Sequence, residues 1–379
     1  FAADAMTALS VAKSKPNKIA TLIAPADIGW DAGGKMADVI AVQDPVPLDE
    51  VALNAAINAL ESGEKTVIIA GNSVLENPDA LALLQGISEK AGVDVLAPTS
   101  NRRIERGAGR FAISKIPYPI NLAIECLAPY SRAILVETVP PVAFFAYPGK
   151  PSLLLPVGCN IVTLAGVEGD GPAALAALAD RIGATGGKPQ DAAPLPVPQA
   201  GAITLDNIGA ALANALPDHA IIIDEAVTSG AALFPAGNTA APNSWLALTG
   251  GSIGIGIPLS AGAAIACPDR PVITLQADGS AMYTIQGLWT QAREGSNVTT
   301  IILSNRSYEI LKGELHNVGA QPGPDALSML NLDRPNLDFV AMAKGMGVPG
   351  RRVEDVKDLM QAIADATKEP GPYLIEAAL

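Results

Sequence analysis

The sequence predicts an α/β protein built on parallel sheets. Three observations carry that prediction. Strand-like runs such as "TVIIAG" (66–71), "AIIIDE" (220–225) and "VTTIILSN" (298–305) alternate with helical patterns along nearly the whole chain. That order is the one that parallel sheets with crossover helices require. The composition, 49% apolar and 17% charged, is that of a globular chain with sizeable cores. The length of 379 residues suits two or three domains.

Taken in order, the chain opens on an alanine-rich helix over 2–12, with Met6 and Leu9 on one face, followed by the apolar run "IATLIAP" (19–25), expected as a buried strand. The next segment, 35–183, begins with a helix over 48–61, the strand "TVIIAG", a helix over 78–91 and the strand "VDVLAP" (93–98). "RAILVET" (132–138) and "CNIVTLAG" (159–166) are two more strands, and "GPAALAALADRIG" (171–183) closes the segment as a helix. The stretch 184–202, rich in Gly, Pro and Ala, has no period and reads as a semi-extended linker. A second unit over 203–379 follows: helix 205–216, strand 220–225, helix 258–267, strand "VITLQAD" (272–278), helix 281–294 and strand 298–305. Helices over 337–345 and 356–367 and the strand "PYLIEAAL" (372–379) complete it. No internal repeat of constant short period is present.

Composition also excludes partners. Lys plus Arg number 25 against 38 Asp plus Glu, a net charge of −13, and no basic run occurs. Nucleic acid and an anionic membrane surface are therefore not expected as partners. The longest apolar stretch, 152–164, is broken by Pro156 and Gly158 and is too short to span a bilayer. The first four residues, Phe-Ala-Ala-Asp, lack the basic start of a signal peptide. Cys126, Cys159 and Cys267 are odd in number and have no CxxC spacing, as buried free thiols in a reducing cytoplasm would be. His219 and His316 are too few for a zinc cluster.

The chemistry concentrates at strand ends. In an open parallel sheet, ligands bind beyond the carboxyl ends of strands. Asp278 and Asn305 both stand there, on consecutive strand–helix units. Their oxygens are hard donors of the kind magnesium takes, often together with phosphate oxygens. Gly279 lets backbone approach closely, and Ser280 opens a helix whose N-terminus suits an anion. The alternative is that Asp278 caps the helix and Asn305 turns a loop.

Asp-Gly, then twenty-five residues, then Asn resembles the magnesium–diphosphate motif of thiamine-diphosphate enzymes. The likeness is to the acetolactate synthase large subunit and benzoylformate decarboxylase superfamily and covers essentially the whole chain. "DEAVTSG" (224–230) resembles the family's loop against the diphosphate, and "TGGSIGIGIPLSAGAAIA" (249–266) its glycine-rich turn and helix. "PVAFFAYPGKPSLLLPVG" (141–158) resembles the middle domain of the decarboxylase branch. Two positions depart from the pattern: Ala277 stands for the first Gly of Gly-Asp-Gly, and Ser304 precedes Asn305 where Asn is frequent.

The resemblance implies three-layer domains, a Rossmann-like middle domain (35–183) and a diphosphate-binding domain (203–379). Residues 1–34 would then be the end of a pyrimidine-binding domain whose earlier part lies upstream. It implies thiamine diphosphate and Mg2+ as cofactors, without FAD. Asp278, Asn305 and the carbonyl of Ser307 would ligate the metal. Thr228, Ser229, Ser280, Tyr308 and the amide of Gly279 would lie at the diphosphate. Ile253 would prop the bent cofactor, and Gly251 would accept the aminopyrimidine's amino proton through its carbonyl. The activating glutamate would come from the segment upstream, on a partner subunit of a homodimer or dimer of dimers, so no catalytic acid or base is assigned here, and Glu225, beside the diphosphate loop, does not match that role. The substrate implied is a 2-oxo acid in the cytoplasm, decarboxylated with carboligation or simply decarboxylated. An inactive, truncated binding or dimerisation module is the competing class.

Several look-alikes are set aside. "EGDGP" (168–172) contains Gly-Asp-Gly, but Val197 stands at the Asn distance, and Asp170 reads as a helix cap. "VIIAGNS" (67–73) lacks the three spaced glycines of a dinucleotide site. His316 reads as exposed helix surface, Met282 and Trp289 as core, and Arg102, Arg103 and Arg106 as a solvated turn.

Overall fold

Four consecutive residues of the strand Ala220–Glu225 are buried, Ala220, Ile221, Ile222 and Ile223, which requires cover on both faces of its sheet. The computed structural model, which describes residues 1–187 and 194–379, supplies that cover. On one face Ile222, Ile273, Leu275, Ile301 and Ile375 pack with the helices Leu205–Ala215 and Val356–Ala366. On the other, Ile302 and Leu374 pack with Ile257, Ala281, Leu288 and Phe339. The alternation of neighbouring residues between the two clusters is the period-two geometry of strands, and it makes three layers.

The chain divides into two compact units. The first comprises Phe1–Pro98, Ile116–Ala143 and Leu153–Gly187. Its parallel strands lie in the spatial order Asp94–Ala97, Thr66–Ala70, Arg132–Val136, Asn160–Ala165. The helices Glu50–Glu61, Pro78–Ala91 and Gly171–Ile182 bury Leu53, Leu84 and Leu178. Each begins where its sequence supplies a cap: Asp49 accepts from the N–H of Val51, Asn77 from Asp79 and Asp170 from Ala173.

The second unit comprises Thr99–Lys115, Phe144–Ser152 and Lys188–Leu379. Its sheet runs Gly350–Val353, Tyr373–Ala378, Val298–Ser304, Val272–Ala277, Ala220–Glu225, Asn243–Ala247. The short strand Ile104–Arg106 closes one edge antiparallel to Asn243–Ala247. Two segments that the sequence placed in the middle domain, 99–115 and 144–152, thus belong to this unit. Residues 188–193 of the expected linker lie outside the described residues.

Other expectations are corrected. "IATLIAP" is no buried strand: residues 19–25 have no strand assignment and Ile19 and Ile23 are almost fully exposed. An apolar run forms a strand only where a neighbour completes its ladder, and none of the described strands pairs with it. The helix expected over 281–294 is two, Asp278–Thr284 and Gly287–Glu294. A Cβ at Gly287 would stand 2.9 Å from Ile257 Cγ2, so this glycine lets the second helix pack closely at the break. The break also ends the shared face of Met282 and Trp289, which are both exposed rather than core. Arg106 is not in a solvated turn but 1% exposed, its guanidinium 3.5 Å from the Phe234 ring centroid and bonded to Asn238. The three cysteines are free but only half-buried. Among the described residues no helix is long and apolar enough to cross a membrane.

Candidate functional site

Chain order and strand order part at Ala220–Glu225 in the second sheet. From Ala220–Glu225 the chain moves outward on one side to Asn243–Ala247, then returns to the other side with Val272–Ala277 and Val298–Ser304. The crossovers diverge there and leave a crevice beyond the carboxyl ends of Ala220–Glu225 and Val272–Ala277, the topological switch point where open α/β sheets bind ligands. The turn Val227–Ser229 leaves the first of these strands, and Asp278 leaves the second.

Parallel pairing of Ala277 with Leu303 sets the ends of two adjacent strands side by side. Asp278 is 3% exposed; its Oδ2 accepts from the backbone N–H of Arg306 at 2.6 Å and its Oδ1 from Gly279 at 2.7 Å. Burial pushes its carboxyl above the ordinary carboxylate range, against the pull of these N–H groups. Asn305 Oδ1 accepts from the N–H of Ser307 at 3.0 Å. Asp278 and Asn305 are therefore brought together, as the sequence suggested. Val227 (φ 51°) and Arg306 (φ 56°), each two residues beyond a strand end, hold the left-handed backbone that residues with side chains rarely adopt.

The glycine-rich turn over 249–255 follows Asn243–Ala247. Gly250, Gly251 and Gly254 have φ of 62°, 67° and 94° there. Ile253 is 37% exposed, so it is an apolar projection rather than a core residue. The carbonyl of Gly251 already accepts from the N–H of Ile253 at 2.8 Å, and the Phe144 ring lies over Gly251, its Cζ 3.2 Å from where a Cβ would stand. Thr228 is half-buried on its turn and Ser229 is buried.

Two groups expected at the diphosphate have partners within the chain. The amide of Gly279 is engaged by Asp278. The Ser280 hydroxyl is buried, accepting from Gln276 Nε2 at 2.6 Å and donating to the carbonyl of Ala277 at 3.1 Å. The cause is an earlier helix start, at Asp278 instead of Ala281, which turns Ser280 inward. Gly279 nonetheless stands where a side chain cannot, since a Cβ would meet Tyr308 Cε1 at 2.5 Å. The three groups expected to ligate a metal, the Asp278 carboxylate, the Asn305 amide and the Ser307 carbonyl, all offer oxygen, the donor type that magnesium takes. Among the described residues no group of three His, Cys, Asp or Glu could hold a metal.

Residues 229–377 match the family model described as thiamine pyrophosphate enzyme, C-terminal TPP binding domain. The whole chain is 42% identical to 73% of a provisionally named acetolactate synthase large subunit, IlvX, of Mycobacterium tuberculosis. This chain belongs to the thiamine pyrophosphate enzymes. Over 42% of its length it is also 34% identical to benzoylformate decarboxylase of Pseudomonas aeruginosa, covering 29% of that protein. A solved thiamine diphosphate-dependent 4-hydroxybenzoylformate decarboxylase of Rhodococcus jostii matches with a TM-score of 0.73 at 25% identity, over 94% of this chain and 67% of that one. A thiamin diphosphate-dependent enzyme structure from Mycobacterium smegmatis matches all of this chain and 74% of its own, with a TM-score of 0.77 at 24% identity, a likeness of fold.

Sequence reasoning passed over two features of this thiamine pyrophosphate enzyme. Phe144 lies in a segment assigned to the other domain, and no local pattern announces its packing on Gly251. Glu225, 1% exposed, accepts from the backbone N–H groups of Gly254 and Gly256. Its position at the end of a strand beside the switch point was the available signal.

Proposed function

We propose that this thiamine pyrophosphate enzyme uses thiamine diphosphate and Mg2+ to decarboxylate a 2-oxo acid and transfer the acyl-anion equivalent to a second carbonyl, as acetolactate synthases do. The observation that carries the reading is the pairing of Asp278 and Asn305 beyond adjacent strands at the switch point. In it, Asp278, Asn305 and the Ser307 carbonyl hold the metal, while the turn with Thr228 and Ser229 and the ring of Tyr308 bound the diphosphate. Ile253 would separate the cofactor's two rings, and the Gly251 carbonyl would accept the aminopyrimidine's amino proton. Bound thiamine diphosphate supplies the nucleophilic carbon and the electron sink for loss of CO2. No residue of this chain is assigned the role of the activating glutamate.

Release of an aldehyde without carboligation is a second reading, favoured by the likeness to the two decarboxylases. We also propose a cytoplasmic homodimer or dimer of dimers, without flavin. Glu137 supports the last point. It fills the carboxyl end of the first unit's sheet with its own negative charge, accepting from the N–H groups of Ser73 and Gly171 and pairing with Lys15 at 2.7 Å. A nucleotide phosphate would need those same N–H groups.

Assaying the full-length protein with pyruvate and with benzoylformate, with and without Mg2+ and thiamine diphosphate, tests the proposal. Cofactor-dependent acetolactate from pyruvate supports the first reading, and benzaldehyde from benzoylformate the second. Folded protein that releases CO2 from neither acid, nor from other 2-oxo acids, contradicts both.

A further inference from the structure

We infer that Glu225 is a positioning residue, a buried clamp that holds the glycine-rich turn in the shape that presents Ile253 to the cofactor rings. The inference rests on the function proposed above. A carboxyl group buried without a cation is costly unless hydrogen bonds compensate, so its partners show what it is for. Among the described residues no cation pairs with Glu225. Its two oxygens instead accept from Gly254 and Gly256, each at 2.5 Å, the residues just after Ile253. Gly256 opens the helix Gly256–Ala266, so the carboxylate also faces the positive end of a helix dipole.

The clamp has matching walls. A Cβ at Gly256 would collide with Gln276 Oε1 and stand 2.9 Å from Glu225 Oε2, so glycine lets both side chains close on this backbone. Thr284 Oγ1 donates to the carbonyl of Gly254 at 2.5 Å, so the peptide that follows Gly254 is held as well as the one that precedes it. The fully buried Gln276 side chain bears on the same carboxyl and joins it to Ser280 and the Asp278 end of the strand. Glu225 thus ties the turn that carries Gly251 and Ile253 to the strand end that carries Asp278. Burial pushes its carboxyl up while the glycine N–H groups pull it down, as expected of an acceptor buried against its donors.

The test has a readout that needs no cofactor. Amide hydrogen exchange over residues 249–257 of the cofactor-free, full-length protein should show Gly254 and Gly256 protected in the wild type. Glu225→Gln, which keeps size but offers one acceptor, should speed their exchange about tenfold or more while the sheet stays protected. With cofactor loaded, exchange of its C2 hydrogen should fall about tenfold or more, with affinity for thiamine diphosphate changed much less. Glu225→Asp serves as a second variant should the first fail to fold. Wild-type amides exchanging like a free loop, or a folded variant with unchanged turn and C2 exchange, would overturn the clamp. Wild-type protein that shows the protected turn but binds no thiamine diphosphate would instead overturn the proposed function.

Discussion

Asp278 reaches across the strand ends to the backbone N–H of Arg306 at 2.6 Å, 28 residues further along the chain. That bond fixes the Asn305 turn against the carboxylate, so a candidate metal ligand also builds the place where its companion stands. The candidate site is therefore a property of two adjacent strands rather than of either loop.

Gly279→Ala should be damaging although its backbone is not left-handed. The added methyl would stand 2.5 Å from the Tyr308 ring, whose backbone is anchored to the Leu330 carbonyl at 2.8 Å. Overpacking of this kind costs about 1–3 kcal/mol. Chemical denaturation checks the loss, and a stability equal to wild type would show that Tyr308 swings away freely.

Ile253→Ala tests the projecting apolar residue. At 37% exposure it contributes little to the core, so stability should fall by about 1 kcal/mol or less. Affinity for thiamine diphosphate should weaken only modestly, because the metal and diphosphate contacts lie elsewhere. Exchange of the cofactor's C2 hydrogen should slow by about tenfold or more, since proton transfer depends on ring placement. Unchanged C2 exchange in the folded variant would remove Ile253 from the account.

Glu376 gives a pH dependence of stability. It is 2% exposed on the strand Tyr373–Ala378, and burial pushes its carboxyl up despite Arg352 at 3.3 Å. A folded-state value above the unfolded one means that its contribution is fully present below the ordinary carboxylate pKa of about 4.3. That contribution is lost as pH rises through the folded value. Glu376→Gln, free of the charge, should therefore gain stability relative to wild type on going from acid to neutral pH. Denaturation of both proteins across that range checks the sign, and a difference that shrinks or stays constant contradicts it.

Much of the architecture was legible because each element carries its own signal. The helix Pro78–Ala91 has a capping Asn before it and Gly92 in a left-handed conformation after it, and "AIIIDE" opens with four consecutive apolar residues. Asp278 and Asn305 were legible through their spacing. What failed depends on distant partners. The run 19–25 has strand composition but no ladder, and Arg106 is buried by Phe234 and Trp245, over a hundred residues away. The inward turn of Ser280 follows from a helix beginning three residues earlier than its apolar pattern does. Glu225 was not legible as a clamp because the turn it holds is bonded to it through backbone N–H groups, which no side-chain pattern records.

The central claim is that Asp278 and Asn305 hold a metal-bound diphosphate. Calorimetric titration of thiamine diphosphate into the full-length protein, with Mg2+ and with chelator, tests it most directly when wild type and Asp278→Ala are compared. The account predicts saturable binding that requires Mg2+ in the wild type, and its loss in an Asp278→Ala variant that keeps its fold. Equal affinity in the two proteins, or binding indifferent to Mg2+, would contradict it.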